Sequence, residues 1–144
     1  LFLAQSAEQY HYVFIDCPPS LGLLTINAFV AAQEVLIPIQ CEYYALEGLS
    51  QLLGSIDLVK RRLNPRLGIA GILLTMVDGR TRLAEEVERE LREHFGDLVF
   101  TTTVPRSVRL AEAPSHGLPA IAYDRRSAGS QAYWKVAMEL VERS

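Results

Sequence analysis

The 144-residue sequence predicts an α/β fold, a mostly parallel sheet flanked by helices on both faces. Three observations carry that expectation. Short β-branched and aromatic runs alternate with segments whose apolar residues recur at three and four, and the connections between them are short. The run at 69–76 is nearly continuous in apolar residues, the pattern of a strand buried on both faces. Hydrophobic residues make up 49% of the chain, and no internal repeat, low-complexity tract or composition break divides it. A single domain over residues 1–144 is the expectation, incomplete at its N-terminal side because the sequence opens on Leu1 and reads as the continuation of an upstream element.

The elements follow in order. Tyr12-Val-Phe-Ile-Asp16 predicts a strand that stops at its carboxyl edge, because Pro18 and Pro19 cannot continue a ladder. Ser20 is placed to cap a short helix carrying Leu23, Leu24, Ile26, Asn27 and Val30. A strand follows at 35–39. Leu46, Leu49, Leu52, Leu53, Ile56, Val59 and Leu63 then mark an amphipathic helix over 44–63, with Lys60, Arg61 and Arg62 complementing the negative end of its dipole. Asn64 and Pro65 end it, and the strand at 69–76 and the polar turn 78–81 follow. Leu83, Val87, Leu91 and Phe95 mark a surface helix with Gly96 at its C-cap. The remainder predicts a strand at 99–104, a brief helix at 107–113 stopped by Pro114, and a terminal helix at 127–142 capped by Ser127.

Charge and cysteine content exclude several classes. A formal net charge of −3 rules out a globally basic nucleic-acid binder, so any DNA contact must come from local patches. Apolar runs fall short of the ~18 residues of a membrane-spanning helix, and residues 1–7 lack the basic n-region of a secretory signal. Cys17 and Cys41 form no CxxC pair, which argues against metal-ligand spacing and makes a reduced cytosolic setting the default. Ser20, His116 and Asp124 lack a nucleophile elbow and read as incidental, as do His11 and His94.

Asp16 is the residue best placed for chemistry. Parallel α/β sheets bind ligands beyond the carboxyl ends of their strands, so a carboxylate there can hold Mg2+ directly or through a water beside a transferring phosphoryl group. An apolar run ending in Asp also suits a simple turn cap, so the longer string has to decide.

Phe14-Ile-Asp-Cys-Pro-Pro-Ser-Leu-Gly22 and Ile37-Pro-Ile-Gln-Cys-Glu-Tyr-Tyr-Ala-Leu-Glu-Gly48 closely resemble the ParA/Soj partition ATPases. The resemblance continues through Leu73-Leu-Thr-Met-Val-Asp-Gly-Arg-Thr81 and Val104-Pro-Arg-Ser-Val-Arg-Leu-Ala-Glu-Ala-Pro-Ser-His-Gly117. It implies a P-loop NTPase-like fold and a deviant Walker-A ATPase using ATP and Mg2+. It further implies a homodimer in the ATP state that binds nonspecific DNA, and stimulation by a ParB-type centromere-binding partner. The setting implied is the bacterial cytoplasm at the nucleoid, without a membrane.

Carried over residue by residue, Asp16 is the Walker B carboxylate on the Mg2+ side. Cys17, Pro18, Pro19, Ser20 and Gly22 form the switch that senses the γ-phosphate, and Pro105 and Arg106 lie at the base and ribose edge of the nucleotide. Arg80 and Arg109 are the DNA contacts; Arg82, Arg106 and the Lys60 cluster could extend the patch, but for the cluster the helix dipole is reason enough. No Gly-rich Lys-Ser/Thr loop occurs in the sequence, so this chain alone is expected neither to bind ATP tightly nor to hydrolyse it. The competing readings are a MinD-like membrane-associated ATPase, disfavoured by the weak, acidic face of the terminal helix; an iron-sulfur carrier, disfavoured by the missing CxxC; and a nonenzymatic dimerisation or DNA-contact module.

Overall fold

Gly71, Ile72, Leu73 and Leu74 are buried in the middle of a strand whose residues are almost all apolar. The computed structural model describes residues 10–18, 20 and 22–143. In chain order the elements are α1 (Leu23–Ala31), β1 (Glu34–Gln40), α2 (Ala45–Arg62), β2 (Gly68–Thr75), α3 (Arg82–Phe95), α4 (Val108–Glu112), α5 (Ala120–Tyr123) and α6 (Ala128–Arg143). Short 3-10 turns at Gly96–Leu98 and Ala113–His116 precede and follow the 99–112 stretch. The α/β class with parallel strands and helices is as the sequence predicts.

β1 and β2 pair in parallel register. The Gly68 N–H donates to Gln33 O (2.8 Å) at one end, and Thr75 Oγ1 donates to Ile39 O (3.1 Å) at the other. Residues 99–106 run along β2 with single parallel bridges at Ile72–Val99 and Val77–Pro105. The strand expected at 99–104 is therefore corrected to a broken ribbon. Phe100 N–H donates to Ile72 O and Val104 N–H to Leu74 O, both at 2.8 Å, so four residues advance on the ribbon while β2 advances two. The surplus amides leave the ladder: Thr101 and Thr102 donate to the Glu139 carboxylate at 2.7 and 2.9 Å. This is the geometry of a bulge, with a side chain in place of the missing strand carbonyls.

The chain divides into two compact units, Leu1–Val35 with Ser50–Gly68, and Leu36–Leu49 with Ile69–Ser144. In the first, α1 ends against the side chain of Asn64, whose amide donates to Phe29 O (3.0 Å), Val30 O (3.3 Å) and Ala32 O (2.8 Å). The sequence marks Asn64 only as the stop of α2. It also caps α1, supplying the donors that the last carbonyls of a helix lack. Arg61 pairs with Asp57 one turn earlier, at 2.9 Å.

The core of the second unit joins Leu73, Phe100, Val104, Ala132 and Val136, with Leu36, Leu110 and Leu140 against them. Gly71 makes this possible. Its φ is 155°, and a Cβ there would lie 2.5 Å from Phe100 Cε2 and 2.9 Å from Leu98 O. α3 buries Ala84, Val87 and Leu91, while Leu83 of the expected stripe is exposed; the helix starts at Arg82, so Ala84 takes the first-turn position facing inward. Thr81 caps α3 by accepting from Ala84 N–H, and Ser127 caps α6 by accepting from Ser130 N–H.

Candidate functional site

In the first unit the expected strand at 12–16 is not formed. Residues 12–18 carry no regular structure, and Tyr12, Val13, Phe14 and Ile15 are 44, 46, 72 and 41% exposed. A β-branched run becomes a strand only when a neighbour takes its amides and carbonyls, and no described residue does so here. Asp16 is exposed and meets no hydrogen-bonding or ion-pair partner among the described residues. Cys17 Sγ lies 3.6 Å from Ile15 O. Pro18 O accepts from Ser20 N–H at 2.7 Å, a tight local turn, and Ser20 O accepts from Thr25 Oγ1 at 2.6 Å.

Ser20 is thus not the cap of α1. Gly22 occupies the N-cap position with no side-chain bond, and its carbonyl accepts from Ile26 N–H. Thr25, inside the helix, reaches back instead. Pro19, expected in the switch, lies outside the described residues.

In the second unit the candidate residues gather past the carboxyl end of β2. Met76 has a φ of 54°, a left-handed conformation that turns the chain sharply as the strand ends. Val77 then exchanges bonds with the neighbouring loop: its N–H donates to Val104 O, and Arg106 N–H donates to Val77 O, both at 3.1 Å. These bonds fix the backbone of Pro105 and Arg106 beside the turn that carries Arg80. In that turn Asp78 Oδ1 accepts from Arg80 N–H (3.1 Å), and Asp78 O accepts from Thr81 N–H and Thr81 Oγ1. The Arg80 guanidinium is exposed and has no ion pair among the described residues.

Arg109, on α4, is held. Its Nη1 lies 3.0 Å from Glu112 Oε2 and its Nε 3.6 Å from Asp124 Oδ2. The hydrogen bond to Glu112, then the charge of that carboxylate, raise the Arg109 pKa. Tyr123 OH donates to the same Glu112 oxygen at 3.2 Å, and the His116 ring stacks on Tyr123 at 4.8 Å. Asp124 and His116 therefore have structural partners and do not compose a hydrolytic triad.

Comparison with known proteins decides the family. A family model described as an AAA domain matches residues 2–69. The chain is 57% identical over 133 residues to the sporulation initiation inhibitor protein Soj of Bacillus subtilis, covering 92% of this chain and 53% of that protein. It is 58% identical over 137 residues to the chromosome partitioning protein ParA of Myxococcus xanthus, covering 95% of this chain and 48% of that one. The chain belongs to the ParA/Soj family. Among solved structures, it superposes on a cobyrinic acid a,c-diamide synthase from Mycobacterium smegmatis, with bound ATP analog and magnesium, at a TM-score of 0.78 and 35% identity, over 96% of this chain and 51% of that one. The chain spans about half the length of the curated relatives it matches.

Within this ParA/Soj chain the candidate residues form two separate sets. Asp16, Cys17, Pro18, Ser20 and Gly22 belong to the first unit, and Arg80, Pro105, Arg106 and Arg109 to the second. Among the described residues no group of three or more His, Cys, Asp or Glu side chains could hold a metal ion, so no protein cage is built. A lone unpaired carboxylate such as Asp16 does fit Mg2+, which keeps several waters and is usually shared between one or two carboxylates and the phosphates of a nucleotide. Among described residues no helix is long and apolar enough to cross a membrane.

Two sets of contacts escape the sequence. The spacing of Arg109 and Glu112 is that of an i,i+3 helix pair and could have signalled their contact, but Asp124 and Tyr123 approach only through the fold. Glu139, which reads as a surface acid of the terminal helix, instead holds the ribbon beside β2.

Proposed function

We propose that this chain is the DNA-contacting portion of a ParA/Soj-type partitioning ATPase, a Mg2+- and ATP-dependent dimer that binds DNA without sequence preference and answers to a ParB-type partner. The observation that carries the reading is the 52–58% identity, over most of the chain, to relatives named as Soj or ParA partitioning proteins. The site chemistry supports it. Asp16 is an uncommitted carboxylate, able to accept a metal or metal-bound water, and the bound cation would supply neutralisation of phosphate charge. Residues 17–22 join Asp16 directly to α1, so a shift at the carboxylate is passed to a helix. The pinned backbone at Pro105 and Arg106 offers a rigid edge for a base, and Arg80 presents a solvated guanidinium suited to phosphate.

The test uses the full-length protein that contains this chain. Arg80→Glu should lower affinity for arbitrary duplex DNA and flatten the salt dependence by about one unit of slope, with ATP binding intact. Asp16→Ala should abolish Mg2+-dependent hydrolysis, and this chain by itself should show none. Unchanged DNA affinity in the first variant, or Asp16-dependent turnover by the chain alone, overturns the assignment.

A further inference from the structure

We infer that Glu112 and Asp124 form a carboxylate latch on Arg109, so that this cation joins a DNA surface only when a polyphosphate displaces it. The inference rests on the reading of Arg109 as a DNA contact. What points to a latch is that each carboxylate has a holder besides the arginine. Glu112 Oε2 receives the Tyr123 hydroxyl at 3.2 Å, and the Tyr123 ring is stacked against His116 with an interplanar angle of 23°. Asp124 Oδ1 accepts from Arg126 N–H at 3.1 Å, which leaves Oδ2 to face Arg109 Nε.

The Asp124 main chain is closed as well. Its N–H donates to Ala120 O at 2.9 Å, and its carbonyl accepts from Ser127 N–H and Ser127 Oγ at 3.2 and 3.0 Å. The acceptors are thus built in place, and the guanidinium is the most exposed of the three, its side chain 56% exposed against 40% for Glu112 and 36% for Asp124.

Electrostatics gives the latch its sense. One cation between two carboxylates is a cluster of net charge −1, which repels a phosphate backbone. Exposed ion pairs are individually weak, so the latch can open. A single phosphate competes poorly against two fixed carboxylates, whereas a duplex already held at Arg80 presents further phosphates at high effective concentration. Arg80 is then the first contact and Arg109 a conditional one.

Binding of the full-length protein, with ATP and Mg2+, to a duplex of arbitrary sequence tests this. Asp124→Asn and Glu112→Gln should each tighten binding about three- to tenfold, the scale expected when one repulsive charge is removed and the released guanidinium reaches a phosphate. In an Arg109→Ala background the same substitutions should bring little gain. Tyr123→Phe keeps the ring beside His116 and removes the bond to Glu112, so it should tighten binding by a smaller factor. An equal gain with and without Arg109 overturns the latch, because the carboxylates would then act as general charge. So does a loss of affinity in Tyr123→Phe and Asp124→Asn together, which would make the carboxylates supports of a permanently presented arginine. If Arg109→Ala alone leaves affinity unchanged, the reading of Arg109 as a contact fails and the latch with it; if Arg109→Ala weakens binding but Asp124→Asn does not tighten it, the latch alone fails.

Discussion

Two segments of the chain carry strand-like sequence, 12–16 and 99–104, and they end in opposite states. Val99, Phe100 and Val104 are 3, 0 and 2% exposed, whereas Tyr12, Val13, Phe14 and Ile15 all exceed 40%. Propensity does not separate them, since both are rich in β-branched and aromatic residues. Partners do. The later segment lies against β2, and where it bulges away its free groups are met by side chains: Arg92 donates to Phe100 O and Thr101 O, Glu139 accepts from Thr101 and Thr102, and Arg143 donates to Asp97 O and Val99 O while its guanidinium sits 4.3 Å above the Phe100 ring. The segment beside Asp16 has no such set among the described residues. One supports the core and the other lies open to solvent.

The largest expected break in that contrast comes at Gly71. Gly71→Ala forces a disfavoured φ and drives a methyl into Phe100 and Leu98 O, so it should destabilise the second unit by about 3 kcal/mol in urea unfolding. A change under about 1 kcal/mol would mean that the ribbon yields easily, and its contrast with 12–16 would shrink.

A smaller effect is expected at Glu139. Burial opposes its charge, but the amides of Thr102 and Thr101 and the Arg143 guanidinium outweigh burial and hold its carboxyl below the ordinary value. The unfolded chain therefore takes up this proton before the folded one does. The stabilisation is complete above the ordinary carboxylate range and is lost as the pH falls through the lowered folded value. Glu139→Gln should cost about 1–2 kcal/mol at neutral pH and flatten the acid limb of a stability-against-pH curve. An acid limb identical to that of the unaltered protein would remove Glu139 from this role.

The smallest effect concerns reactivity and leaves stability alone. Burial, then the charge of Glu88, pushes the Cys41 thiol up to about 11, and its side chain is buried. At pH 8 only about one Cys41 in a thousand is then thiolate. Cys17, in the open segment, is only half-buried and should take up a maleimide well before Cys41 does. Equal labelling rates would show that the two cysteines do not report the difference between open and packed regions.

The sequence makes legible what depends on local periodicity. The spacing of Leu49, Ile56 and Val59 foretells α2, the apolar run foretells β2, and the motifs identify the family. It does not foretell the fate of 12–16 or 99–104, because pairing is settled by what lies alongside in space. The same reason hides the second role of Asn64, the hold of Glu139 on the ribbon, and the pairing of Arg109 with Asp124. Each depends on a residue brought near by folding, at separations of 32 to 35 residues for Asn64 and 37 to 38 for Glu139. Arg80 and Arg109 look equivalent as letters and differ only in their surroundings.

The Asn64 cap bears on the order in which the first unit assembles. α1 has nine residues and no side-chain cap at its start, too short to persist by propensity alone. Its closing donors arrive only when α2 has run its full length and turned back. Formation of α1 is thereby tied to a contact across more than thirty residues, whose loop-closure entropy must be met first. The helix that follows Asp16 is thus expected to form only once α2 is complete, and to lose its amide protection before α2 does.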